Sequence, residues 1–399
     1  MGRRLLTGRD GLRVQFDKLG IVIALLAAYG ALWASFATLK PNRIVQGKAE
    51  AMLQSLPAWA GWGLIGVLVL ATAAALFRTS PWIKLVAAVA ALAALTLSIG
   101  YAATFLTPPG NTYARVSPAS GFWILLFAFA LLAADAITRL DPPPGMRVLF
   151  LVLAAAAIGA LLMSGSWNGL SIMKEYSGRA DVFWVEAGKH VELALGSLFA
   201  AVLVGLPLGI LCHRVAPLRD GVLNTLNLVQ TIPSIALFGL LIAPLGWIAA
   251  NVPGAAAIGI RGIGVAPAFV ALFLYSLLPV VANTVVGLAG VPRAANDAAR
   301  GIGMTGRQRL FKIEFPLALP VILTAIRIVL VQNIGMATIA ALIGGGGFGV
   351  FVFQGIGQTA MDLVLLGAVP TVALAFASAV VLDALIEMNS RVPNGARSA

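Results

Sequence analysis

A helix needs roughly 20 apolar residues to cross a bilayer. Runs of that length recur along this chain, at 19–39, 58–77, 82–106, 120–139, 147–164, 190–212, 222–248, 265–290, 317–343 and 362–388. In lipid each backbone polar group must find its partner within the protein, so only helices and closed barrels span. The runs lack the strict in–out alternation of barrel strands. They predict an all-α polytopic membrane protein of about ten transmembrane helices. Composition agrees: 11% of the 399 residues are charged, against about a quarter in soluble domains. That is too little polar surface to coat a globule in water.

The net charge of +12 would suggest nucleic acid in a soluble protein. Here it follows from cytoplasmic loops collecting Lys and Arg, and no nucleic-acid partner is expected. With the N-terminus inside, alternate segments hold eighteen Lys and Arg inside and eight outside, and Arg327 within a span completes the 27. Both termini are therefore expected in the cytoplasm. A signal peptide is the rival reading of the basic start, but the run 19–39 is taken as long enough to be a retained span. Cys212 is the single cysteine, and His190 and His213 are the only histidines. No metal site, cofactor or catalytic residue is expected from so few ligating side chains.

The expected organisation is a cytoplasmic N-terminus at 1–18, a five-helix membrane extension at 19–164, a periplasmic connector at 165–189, a five-helix core at 190–388 and a cytoplasmic tail at 389–399. The first five spans are Ala-rich, whereas the last five carry more polar residues and more proline. Within the core, the cytoplasmic loop 291–316 interrupts the apolar pattern. Pro292 suits the first turn of a helix, and Gly301 and Gly303 end it. Thr305 and Gln308 stand at capping-box spacing for a second helix, RQRLFKIE, which Pro316 is expected to close. Such a bent pair of short helices is suited to a cytoplasmic partner, because small residues at a turn allow close approach. A solvated connector is the plainer alternative.

This loop resembles the coupling motif of the permease subunits of binding-protein-dependent ABC importers: Glu-Ala-Ala, three residues, Gly, nine residues, Ile-x-Leu-Pro. Here it reads Asp297-Ala298-Ala299, three residues, Gly303, nine residues, Ile313-Glu314-Phe315-Pro316. Asp replaces Glu and Phe replaces Leu. The resemblance covers residues 190–388. It implies that Asp297, Ala298, Ala299, Gly303, Ile313 and Pro316 form the coupling helices that dock an ATP-binding cassette subunit. Stretches such as VQTIPSIALFGLLIAPLG and ATIAALIGGGGFGVFVFQGI are similar to permeases for glycine betaine, carnitine and choline. The long N-terminal half resembles an extended branch of that group. The resemblance also implies a bacterial inner-membrane location, a separate binding protein, periplasmic or lipid-anchored, and a second permease copy or related permease. ATP and Mg would be used by the partner ATPase, since this chain has no GxxxxGK[ST] loop. Methionine and taurine are alternative cargoes that the coupling motif does not separate. A membrane-embedded enzyme or a passive channel fits less well.

Polar side chains within spans are costly and face cavities or other helices. Asn227, Gln230, Thr231 and Ser234 follow helical spacing near Pro233, and Gln332 and Asn333 sit near the middle of the ninth run. Two roles fit them: lining a translocation pathway, or hydrogen bonding between helices. Arg327 either pairs with Asp383 or Glu387, or snorkels to the cytoplasm. The run GGGGFG at 344–349 reads as a gate, a re-entrant turn or a plain loop.

Overall fold

The computed structural model describes residues 16–42 and 45–389, so the basic start before residue 16 and the tail beyond 389 lie outside the described residues. The chain forms two compact units, one comprising residues up to Pro143 with Ala155–Lys174, the other Pro144–Ala154 with Glu175–Ala399. Among the described residues nine helices are long and apolar enough to cross a membrane, and Lys18–Leu32 is a shorter apolar helix.

The first unit is built on α1 (Lys18–Leu32), α2 (Ala58–Leu76), α3 (Pro81–Leu106) and α4 (Ser120–Leu140). The Asp17 carboxylate caps α1 by accepting from the Leu19 N–H, and the Ser80 hydroxyl caps α3 with Pro81 in its first turn. Lipid tails are as apolar as the side chains, so helices associate here through close fit. The buried stripes accordingly set small residues beside branched ones: Gly20, Ala27 and Gly30 with Ile23 on α1, and Ala88, Ala91, Ala102 and Ala103 with Leu95 and Ile99 on α3.

The first expected span, 19–39, is corrected. Its helix has 15 residues, about 22 Å of rise, short of a hydrocarbon core of about 30 Å. The chain then enters β1 (Ala37–Lys40), which pairs antiparallel with both β2 (Lys48–Glu50) and β3 (Arg115–Pro118) in a small sheet of order β2-β1-β3. Hydropathy alone does not show where helix ends in such an uncharged run, and pairing with distant strands decided it. Lys84 is 1% exposed. It meets Asp17 at 2.6 Å, and Arg139 meets the same carboxylate at 2.8 Å. The Lys84 hydrogen bond, outweighing burial, holds the Asp17 carboxyl below its ordinary value.

The helix α5 (Pro144–Met163) is divided between the units, and α6 (Ser171–Ser177) follows it. The second unit centres on α7 (Ala180–Arg214), α11 (Val265–Ala289) and α14 (Phe315–Ala337). The helix α7 starts ten residues before the expected span at 190, so much of the expected connector is helical. A Cβ on Gly209 of α7 would lie 2.6 Å from the Thr284 side chain of α11, so glycine is what lets these two backbones approach. The seventh expected span, 222–248, is also corrected. It divides into α8 (Ala216–Thr231), α9 (Ser234–Leu240) and α10 (Ile242–Asn251), and Ser234–Asn251 is the stretch of spanning character. The break falls at Ile232 and Pro233, both in extended conformation. Proline disfavours helix in the residue before it, which explains the break. The remaining elements are α12 (Arg293–Gly301), α13 (Gly306–Arg309), α15 (Gly349–Gly357) and α16 (Met361–Asn389).

Candidate functional site

The polar loop after α11 folds into two joined helical pieces. Pro292 precedes α12, whose end is turned by Gly303 at φ 80°. The Gly303 N–H donates to the Arg300 carbonyl at 2.9 Å, and the Met304 N–H to the Ala299 carbonyl at 3.0 Å. These bonds satisfy carbonyls that a helix end leaves open. The next turn starts with the capping box expected at Thr305 and Gln308. The Gln308 N–H donates to the Thr305 hydroxyl at 3.3 Å, and the Thr305 N–H to the Gln308 side-chain oxygen at 2.9 Å.

Beyond α13 the outcome differs from a helix closed by Pro316. A π-helical turn, Leu310–Glu314, runs directly into α14, so that Gly306–Ala337 is one continuous helical rod. Pro316 lies directly after the π-helical turn, so its missing N–H falls where the ladder changes register. The turn shifts the ladder by one residue, with the Phe315 N–H donating to the Leu310 carbonyl. Such turns are rare and cluster at functional positions.

The loop presents one face and anchors another. Asp297, Ala298 and Gly303 are exposed, and Ile302 and Phe311 are 75% and 58% exposed. A Cβ on Gly301 or Gly303 would meet nothing within 4 Å. The arrangement is an acid beside small residues and two uncovered apolar side chains, on a turn held by backbone bonds. Ala299 is buried, Ile313 is half-buried and Pro316 is exposed. Beneath them Leu288, Val291, Ala318 and Ile322 form a small core that also packs Leu310 and Phe315. Glu314, 3% exposed, is ion-paired with Arg214 at the end of α7. Neither Ile302 nor this pair was singled out from sequence. Ile302 sits between motif positions, and Glu314 occupies the motif's unspecified position, a hundred residues from its partner.

The polar residues within spans go different ways. Asn227 and Thr231 are exposed on α8, and the Thr231 hydroxyl donates to the Leu228 carbonyl. Ser234 is half-buried at the start of α9. The Gln230 amide reaches across to the Tyr275 carbonyl of α11 at 2.8 Å. Gln332 contacts the Met336 sulfur at 3.5 Å on its own helix. Asn333 is fully buried, and its amide donates to the Ser197 and Ser276 hydroxyls at 3.0 and 2.9 Å. It thus ties α7, α11 and α14 together. Arg327 is ion-paired with Asp383 of α16, and Glu387 instead meets Arg147 at 2.8 Å. Among the described residues no group of His, Cys, Asp and Glu could hold a metal ion.

Apolar helices long enough to span, joined by a capped, exposed polar loop, define a multi-pass membrane protein. The comparisons with known proteins name its kind. Residues 202–391 match the family described as binding-protein-dependent transport system inner membrane component, and residues 17–173 match the N-terminal domain of ABC transporter permease YehY. The osmoprotectant import permease protein OsmW of Salmonella typhimurium is 44% identical over 198 residues, covering 50% of this chain and 85% of that protein. The glycine betaine/carnitine/choline transport system permease protein OpuCB of Bacillus subtilis is 34% identical over 206 residues, 52% of this chain and 86% of its own. The osmoprotectant import permease protein OsmY of Salmonella typhimurium is 38% identical over 242 residues, 60% of this chain and 92% of its own. An inward-facing conformation of the MetNI methionine ABC transporter aligns at a TM-score of 0.44 and 22% identity, over 53% of this chain and 97% of that one. The chain belongs to the family of inner-membrane permease components of binding-protein-dependent transport systems. The expected resemblance, including the extended N-terminal half, is borne out by these matches.

Proposed function

We propose that this chain is the membrane subunit of an ATP-driven importer of osmoprotectants, small quaternary amines of the glycine betaine, choline and carnitine type. The observation that carries the reading is the loop 291–316. Its exposed face at Asp297, Ala298, Ile302, Gly303 and Phe311 is built for a partner, and its base is fixed to the spanning helices. The relatives' names supply the cargo class.

On this reading, separate ATP-binding cassette subunits receive the loop in a groove and hydrolyse ATP with Mg, because this chain has no phosphate-binding loop of its own. A separate binding protein delivers the solute on the far side. A second permease, identical or related, completes the pathway. The coupling loop and the end of α16 face the cytoplasm, the side on which Lys and Arg collect. A quaternary ammonium carries charge but no N–H donor. Neutral polar groups at Asn227, Gln230, Thr231, Ser234 and Gln332 would pass it without holding it. The burial and hydrogen bonds of Asn333 support a helix-tying role for that residue.

The test is site-specific crosslinking in the assembled transporter. Cys212 is the single cysteine, so Cys212→Ala gives a cysteine-free chain. Ile302→Cys in that chain should crosslink to the ATP-binding subunit, with a yield that changes on adding ATP. A cysteine at the distant, exposed Trp247 should not. No adduct from position 302 would remove the docking assignment.

A further inference from the structure

At one end of the second unit, α7 grips a glycine loop through two side chains. Between a 3₁₀ segment (Ile339–Ile343) and α15, residues 344–348 cross over the first half of α7. The Glu186 carboxylate accepts from the Gly347 N–H at 2.6 Å, and His190 Nδ1 accepts from the Phe348 N–H at 3.3 Å. The other Glu186 oxygen takes the Lys189 ammonium at 2.8 Å. The Phe348 ring lies against the His190 ring, with centroids 4.9 Å apart, and against Phe183 at 5.5 Å. The backbone can lie this close because φ is 78° at Gly346 and 84° at Gly347. A Cβ on Gly346 would stand 2.6 Å from the Glu186 carboxylate.

Glu186 is 7% exposed and His190 is fully buried. Apolar residues would fill such positions without the cost of burying a charge. What the carboxylate and imidazole add is a directional hold on two successive backbone N–H groups that no helix or strand satisfies. A hold of this kind can be released without unfolding either helix.

The position of the loop is also informative. Glu186 and Arg214 lie 28 positions apart on α7, about 42 Å at 1.5 Å per residue, which exceeds a hydrocarbon core of about 30 Å. Arg214 binds Glu314 at the root of the coupling loop. The glycine loop and the coupling loop are therefore at opposite membrane faces, attached to the two ends of one helix.

We propose that Glu186 and His190 are positioning residues of a latch that holds the glycine loop closed at the face opposite the coupling loop, and that transport requires its release. The proposal rests on the transport reading above. Movement of the coupling loop reaches α7 through the Arg214–Glu314 pair, and α7 carries it to the latch. In the resting state the latch keeps the far end of the pathway shut, so that ATP is not hydrolysed without solute delivery.

The test uses the full transporter in proteoliposomes: this chain, its ATP-binding subunits and its binding protein. ATP hydrolysis without binding protein and solute uptake per ATP are measured together. Glu186→Ala removes a charge-assisted hydrogen bond, enough to shift a closed-to-open ratio by about tenfold or more. It should raise basal hydrolysis and lower uptake per ATP. Glu186→Asp should recover part of the coupling. In case Glu186→Ala does not assemble, His190→Phe keeps the ring against Phe348 but deletes the acceptor, and should show the same direction. A merely structural role would lower hydrolysis and uptake together, leaving their ratio unchanged. That result, with normal wild-type transport, overturns the latch alone. No ATP-dependent uptake by the wild type overturns the transport reading and the latch with it.

Discussion

Gly303 separates the demands of the fold from the demands of a docked partner. Its φ of 80° lies in the left-handed region, and a Cβ added there meets nothing within 4 Å. Within this chain a substitution therefore pays only backbone strain. For alanine that is about 1–2 kcal/mol, whereas asparagine tolerates this conformation better. A partner gripping the turn would feel added bulk instead, and overpacking a close-fitted contact costs about 1–3 kcal/mol. The two effects rank the variants oppositely. By strain alone, Gly303→Ala is the worse variant. By docking, Gly303→Asn is worse, because it adds three more heavy atoms to the exposed turn. Thermal melting of the purified chain should show Ala below Asn, both a few degrees at most below wild type. Solute-stimulated ATP hydrolysis by the assembled transporter should show the reverse order, with Asn falling about tenfold for each 1.4 kcal/mol of lost docking. Gly301→Ala, at an ordinary φ and equally open at the end of α12, should not lower melting. If hydrolysis follows the melting order, the turn matters only for its own geometry and the docking argument fails.

Further outcomes follow from the buried polar groups. Lys84 holds the Asp17 carboxyl below its ordinary 3.8, so the stability Asp17 contributes is present above that value and is lost as pH falls through its lowered folded value. Asp17→Asn keeps a capping side chain and should flatten acid melting curves in that window. Lys84→Ala leaves Asp17 held chiefly by Arg139 and should destabilise the first unit at neutral pH by about 3 kcal/mol, seen in denaturant or thermal unfolding. Arg214→Ala leaves Glu314 buried without its cation, and should cost about 1–3 kcal/mol, with Glu314→Gln in the same chain restoring part of the loss. Asn333→Leu removes the link between Ser197 and Ser276. It should lower the melting temperature, consistent with about 0.6–1.7 kcal/mol, while leaving the solute concentration for half-maximal uptake unchanged.

The coupling loop was legible because its signals are local. Pro292, Gly303 and the Thr305–Gln308 box each act within a few residues, and each does in the fold what its chemistry allows. Long apolar helices such as α3, α4 and α11 were equally plain. What could not be read depends on distant partners. The strand at Ala37–Lys40 exists because Lys48–Glu50 and Arg115–Pro118 lie beside it. Pro233 was visible as a disturbance, but hydropathy ran on through it, so the division into α8 and α9 was missed. The π-helical turn has no composition of its own. Glu186, His190 and the glycine loop are joined across about 160 positions, and no local period reveals such contacts. Polar residues in spans were the hardest to assign, because a buried tie such as Asn333 and an exposed one such as Asn227 obey the same spacing.

The most direct measurement is uptake of labelled solute by cells carrying this chain with its ATP-binding subunits and binding protein, in a host without other osmolyte importers. Glycine betaine, choline, carnitine, methionine and taurine would be compared, with and without Gly303→Asn. The account predicts ATP-dependent accumulation of at least one quaternary amine, lost in the variant. Accumulation of methionine or taurine alone would contradict the cargo, and uptake of any of them without ATP would contradict the importer itself.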